Sequence, residues 1–142
     1  MKNDWLIETT LCPSNQDTDF LTRQINEESK RKGISDRAYP FAFFIRDDNG
    51  KIIAGCNGSV VYGTIYIDQL WVDTVYRSQG YGRLLMEKVH ELGRQQGCTM
   101  ATVATMSFQN ACQFYEQLGY VCDFERSGYS SQAICYFLKK NI

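Results

Sequence analysis

Leu70-Trp71-Val72-Asp73-Thr74-Val75-Tyr76-Arg77-Ser78-Gln79-Gly80-Tyr81-Gly82-Arg83-Leu84-Leu85-Met86 passes from an apolar, strand-like run through a glycine-bearing turn into a helix-patterned run. The turn Arg77 to Gly82 thus stands at a helix start, where the first N–H groups lack intrahelical partners and the macrodipole is positive. A phosphate can be held at such a place by main chain alone. Gly80 and Gly82 have no Cβ to obstruct it and tolerate unusual φ/ψ. Arg77 adds a planar guanidinium able to make charge-assisted hydrogen bonds. On this fragment alone, a plain strand-to-helix turn is an equal reading. A dinucleotide fingerprint fits worse. Its third small residue is replaced by Leu85, and Met100 to Met106, where the ribose-binding acid belongs, contains no acid.

Outward from the turn the hydrophobic period changes several times. Upstream, Trp5 to Thr9 reads as a short strand, and a polar stretch from about Asp17 carries Phe20, Leu21 and Ile25 at helical spacing until Gly33. Pro40 to Arg46, Ile52 to Val61 and Thr64 to Val72 then read as consecutive antiparallel strands. Asp47-Asp48-Asn49-Gly50 and Tyr62-Gly63 are the turns between them. Downstream, Leu85, Val89 and Leu92 mark an amphipathic helix to about Gln96, stopped by Gly97 and weakened in its last turn by Gly93. Thr99 to Met106 is a strand, Gln109 to Leu118 a helix ended by Gly119, and Tyr120 to Glu125 and Gln132 to Lys139 are closing strands. This order predicts an α/β class of α+β type: a mixed sheet with a meander, a βαβ crossover, then a helix and a final pair.

With 142 residues the chain is one domain's worth, so a single domain over residues 1–142 with a single site is expected. A formal charge of -1 leaves no global basic field, which argues against nucleic acid as the main partner. Lys30-Arg31-Lys32 reads as a solvated helix end. The six cysteines form no ligand pair and the only histidine, His90, stands alone, so no metal site is expected. Several cysteines lie among apolar neighbours, as Cys135 does, and read as small core residues. No signal peptide and no apolar run of about 18 residues is visible, which points to a soluble, cytoplasmic protein with no membrane partner.

With this element order and this turn, the chain resembles the GNAT superfamily of N-acetyltransferases. Arg77-Ser78-Gln79-Gly80-Tyr81-Gly82 is similar to that family's acetyl-CoA signature: Arg or Gln, two residues, Gly, one residue, then Gly or Ala. A second stretch, Asn110-Ala111-Cys112-Gln113-Phe114-Tyr115-Glu116-Gln117-Leu118-Gly119-Tyr120, resembles its later motif, an Asn, an aromatic-Tyr pair and a closing Leu-Gly-aromatic. The resemblance implies a mostly antiparallel sheet with helices on both faces and one parallel pair of strands splayed apart, the pantetheine of acetyl-CoA lying in the gap. It also implies that main-chain groups of Leu70, Trp71 and Val72 pair with pantetheine and polarise the thioester oxygen. Arg77, Ser78, Gln79, Gly80, Tyr81 and Gly82 would hold the pyrophosphate. Arg83 or Lys88 would reach further phosphates, and Asn110 would belong to the same coenzyme site.

The activity so implied is direct acetyl transfer to a primary amine, either of a small molecule or of a protein. Such transfer needs an unprotonated nucleophile, a stabilised oxyanion and a proton for the departing thiolate. By the resemblance Tyr115 is the acid, although its spacing with Ala111 and Leu118 also suits a core aromatic. Asp68, the one charged residue of its strand, is the candidate base, with Asp73, another residue or solvent as alternatives. By the resemblance the acceptor is met by Asp17 to Arg37 and Arg126 to Gln132. Glu27 and Glu28 there suit a cationic amine or a solvated helix face. A non-catalytic acyl-CoA-binding or sensing domain is the rival reading. Edge strands of such a sheet can pair between subunits, which leaves a homodimer open.

Overall fold

The structure, a computed structural model, describes residues 6–142 and comprises two compact units, Met1–Ser35 and Asp36–Ile142. In the first, helix α1 spans Asn15–Arg31. The Ser14 side chain accepts from the Asp17 N–H, and Asp17 in the first turn and Lys30 and Arg31 in the last complement the helix dipole. Gly33 (φ +85°) follows its end. No residue of α1 is buried. Of the strand expected at Trp5 to Thr9, Trp5 lies outside the described residues. Leu6 to Thr9 form no strand, and Leu6 and Ile7 are fully exposed. So short an apolar run has no ladder to hold it extended.

The second unit is built on a six-stranded sheet. Its strands are β1 (Tyr39–Arg46), β2 (Ile52–Val61), β3 (Thr64–Val72), β4 (Met100–Met106), β5 (Val121–Arg126) and β6 (Cys135–Asn141), in the spatial order β1-β2-β3-β4-β6-β5. All neighbours are antiparallel except β3 and β4. The first two hairpins follow from local chemistry. Asp47 Oδ1 accepts from the Asn49 and Lys51 N–H groups around one turn, while Tyr62 and Gly63 both take positive φ in the other, as a two-residue hairpin requires.

Helix α2 (Tyr81–Gln95) is the crossover between β3 and β4. Its buried residues Leu85, Met86, Val89, His90 and Gly93 recur at helical spacing, which fixes the face laid on the sheet. Gly93 has a use that propensity does not show: a Cβ there would lie 2.9 Å from Ile65 Cγ2 and 2.7 Å from Ile142 Cδ1. Its cost to the helix is therefore the condition for close helix–sheet contact. The core joins this face to Ile65, Ile67, Ala101, Val103 and Leu138 of the sheet, with Tyr115 and Tyr120 beside them. Each buried Ile or Leu contributes about 1.5–3 kcal/mol.

The helix predicted at Gln109 to Leu118 is shorter. A 3-10 turn at Ser107–Gln109 is followed by Asn110 in the left-handed region (φ 54°), and α3 spans only Cys112–Gln117. Gln109 Oε1 accepts from the Met106 N–H and the Thr105 hydroxyl, which holds this segment in a turn before the helix can start. Strand β6 starts later than its apolar pattern suggests, because a 3-10 turn occupies Ser130–Gln132. No helix among the described residues is long and apolar enough to cross a membrane.

Candidate active site

Strands β3 and β4 pair only from Thr64 to Ile67 against Met100 to Val103. Beyond that, Gln69 to Val72 remain paired to β2, and Ala104 to Met106 to β6, but the two facing edges share no further pair. The pairing ends where Asp68 forms a bulge, since Asn57 lies opposite Gln69 and Gly58 opposite Ile67. A bulge bends and twists its strand, so the parallel pair opens toward its C-terminal ends. Main-chain groups of Leu70 and Val72, alternating with those of Trp71 that turn toward β2, then face a gap, and apart from the Val72 carbonyl, which Arg77 holds, they require water or an extended ligand as partner.

The glycine turn lies at the mouth of this gap. Asp73 Oδ1 accepts from the Val75 N–H and sets a 3-10 turn at Thr74–Tyr76. Arg77 Nε donates to the Val72 carbonyl at 2.8 Å, so this arginine first ties the turn to the end of β3. Gln79 Nε2 donates to the Val75 carbonyl, and the Tyr81 ring meets Tyr76 edge-on. Ser78 (φ 62°) and Gly80 (φ 89°) are left-handed, and Gly80 caps α2 with no side-chain bond to its first N–H groups.

The two glycines differ in their work. A Cβ on Gly80 would meet nothing within 4 Å, so its surroundings are open to a ligand and its backbone conformation is what calls for glycine. On Gly82 a Cβ would lie 3.3 Å from Phe114 Cζ. Gly82 thus also leaves room for the Phe114 ring. The same contact brings the two sequence motifs together, with α3 against the start of α2. Arg83 is exposed on α2, and Lys88 is engaged by Glu91 at 3.4 Å. Asn110 Nδ2 donates to the Phe108 carbonyl at 3.4 Å.

Tyr115 is 5% exposed, with Phe114 and Tyr120 edge-on to its ring at 5.1 and 5.6 Å. Burial, and then the Cys56 and Cys112 thiols, push its hydroxyl up to about 12, which keeps it a proton donor at neutral pH. Asp68 is exposed, and its carboxylate lies close enough to the Tyr66 hydroxyl to influence it. Burial raises the Tyr66 pKa first, with Asp68 and Cys135 adding to it. Nearby, Asn57 Oδ1 is a buried side-chain oxygen without a hydrogen-bond partner. Tyr66 is Asp68's neighbour two residues back on β3, whereas Asn57 is a polar neighbour of the bulge that sequence patterning does not mark, because its place there follows from the register shift.

The sequence profile of the acetyltransferase (GNAT) family matches residues 4–120. The chain belongs to this family. An acetyltransferase from Agrobacterium fabrum, Atu2258, is 32% identical over 114 residues, covering 71% of this chain and 82% of that protein. A blasticidin-S acetyltransferase from Streptomyces morookaense is 32% identical over 81 residues, 56% of this chain, and the match spans only 59% of that protein's length. Among solved structures, an acetyltransferase from Bacillus cereus superposes with a TM-score of 0.74 at 20% identity, covering 95% of this chain and 98% of the other. An aminoglycoside 6′-N-acetyltransferase complexed with coenzyme A superposes with a TM-score of 0.65 at 15% identity and covers 89% of both.

Within this GNAT fold, the remaining expected positions separate. Glu27 and Glu28 are exposed on α1, and Tyr129, Ser130 and Ser131 form an exposed turn before β6. Among the described residues no group of three or more His, Cys, Asp or Glu side chains could hold a metal ion. Cys56, Cys98 and Cys135 are buried and free, while Cys12 and Cys122 are exposed.

Proposed function

We propose that this chain is an acetyl-CoA-dependent N-acetyltransferase that moves the acetyl group directly from the thioester to a primary amine. The observation that carries the reading is the gap between β3 and β4, with unpaired main chain along one wall and an open helix start at its mouth. Extended pantetheine fits the first as a strand would, and pyrophosphate fits the second. The names of the blasticidin-S acetyltransferase and of the coenzyme A-bound aminoglycoside 6′-N-acetyltransferase support the same chemistry.

When bound, acetyl-CoA supplies an activated acyl carbon. Main-chain groups of Leu70 and Val72 orient the thioester and polarise its oxygen. Arg77 holds the turn, and the turn from Ser78 to Gly82 presents the first N–H groups of α2 to the pyrophosphate, with Arg83 in that same first helical turn and Asn110 as a further coenzyme contact. Asp68, directly or through water, takes the proton that the amine must lose. The new N–C bond forms as the C–S bond breaks, and Tyr115 donates a hydrogen bond to the sulfur as its charge grows.

The test is a screen of polyamines, amino acids, aminoglycosides and peptide N-termini for acceptor-dependent release of the CoA thiol. Release with at least one class is expected. Tight acetyl-CoA binding without release for any acceptor would instead establish a non-catalytic binding domain. A separate result is expected for Gly80→Ala: left-handed strain of about 1–2 kcal/mol lowers the melting temperature by a few degrees. The distorted turn also weakens acetyl-CoA binding by about tenfold or more, which calorimetric titration checks.

A further inference from the structure

A cleft of about 310 Å³ runs along the flank of α2 between Arg83 and Glu87 at one end and Arg94 and Lys140 at the other, with the buried His90 in its wall. Three of these side chains, Arg83, Arg94 and Lys140, are basic and one, Glu87, is a carboxylate. The single ion pair among the described residues is Lys88–Glu91, so no carboxylate of the described residues lies within 4.0 Å of Arg83, Arg94 or Lys140. Positive groups gathered in one concavity repel one another and draw an anion.

The far half of the cleft is remote from the glycine turn. Arg94 stands fourteen residues along the chain from Gly80, about 20 Å of helix rise. Lys140 pairs with Ala101 at the start of β4, the end of the sheet opposite to the gap. Lys140 Nζ donates to the Leu118 carbonyl at the end of α3, which fixes the ammonium in place and uses one of its three donors. Arg94 provides the planar fork that suits phosphate oxygens.

We propose that the Arg94–Lys140 end of this cleft is a second anion site, distinct from the acetyl-CoA site, that takes a small organic phosphate carrying two negative charges. A volume at the low end of the range for small-molecule pockets suits a ligand of that size. His90 is the natural reporter. Its Nε2 lies 2.7 Å from the Tyr120 hydroxyl, and burial, then Lys140 and Arg94, push its pKa down to about 4. An anion bound between those two cations opposes their effect and moves the imidazole upward; Arg83 and Glu87 are the other charged groups that line the cleft.

His90 is the only histidine of the chain, so the Hε1 proton of its imidazole gives one unambiguous resonance in NMR. With acetyl-CoA saturating, inorganic phosphate added at constant pH and ionic strength against chloride is expected to shift that resonance saturably. Arg94→Gln and Lys140→Gln, each measured alone, are expected to weaken phosphate at least tenfold while acetyl-CoA affinity stays within twofold. Saturable shift without loss in either variant would overturn the assignment, as would no shift at all. Displacement of phosphate by acetyl-CoA would overturn it too, and would give the cleft to the coenzyme. Acetyl-CoA affinity is measured independently, so failure here is separable from failure of the acetyltransferase reading.

Discussion

Tyr115→Phe is expected to lower kcat by about 100-fold or more, the scale of a lost proton donor, with little change in melting temperature or in acetyl-CoA affinity. The ring keeps its edge contacts with Phe114 and Tyr120, so the core is not opened. Only the hydroxyl is lost. Its pKa of about 12 stands well above that of an ordinary thiol, about 8.5, so full proton transfer to the departing sulfur is uphill. The hydroxyl therefore serves best as a donor to a sulfur whose charge is still developing. It also stays protonated through neutral pH, so rate changes there belong to the amine and its base. Steady-state kinetics at saturating acceptor decide the matter, and unchanged turnover would remove Tyr115 from the mechanism.

Gly58→Ala should cost about 3 kcal/mol or more, a large part of the 5–15 kcal/mol that holds a domain together. A Cβ on Gly58 would lie 1.8 Å from the Tyr66 carbonyl oxygen and 3.0 Å from Phe41 Cε1. The first obstacle is backbone in a neighbouring strand and cannot swing aside. Relief requires β3 to move where its pairing with β4 stops, so activity should fall together with stability. Gly82→Ala meets only the tip of the Phe114 ring at 3.3 Å, and a smaller cost of about 1 kcal/mol is expected. Urea unfolding of the two variants measures the contrast; equal midpoints would contradict it.

Much of this was legible in the residues. The antiparallel strands, the amphipathic helix with its glycine stop and the turn from Arg77 to Gly82 are local patterns, and each forms as its spacing requires. Other features depend on distant partners. Propensity marks Gly93 as a weak point in α2, whereas its meaning comes from Ile65 and Ile142. Periodicity extends the helix of Tyr115 back to Gln109, but Gln109 spends its side chain on Met106 and Thr105 instead. The bond between His90 and Tyr120 joins residues 30 apart in the chain, and no spacing rule announces it. The family motif indicates Tyr115; its acidity is set by burial and by Cys56 on the distant strand β2.

The spatial order β4-β6-β5 also bears on how the chain is made. β6 is the last of the six strands to leave the ribosome, yet it is the one wedged between two earlier neighbours. Until residues 135–141 emerge, β4 offers a naked edge and β5 has nothing to lean on. The nascent meander and its crossover helix must wait in a half-zipped state, exposed to chaperones or to strand-hungry neighbours, and cuts upstream of Cys135 remove the keystone and not a dispensable tail.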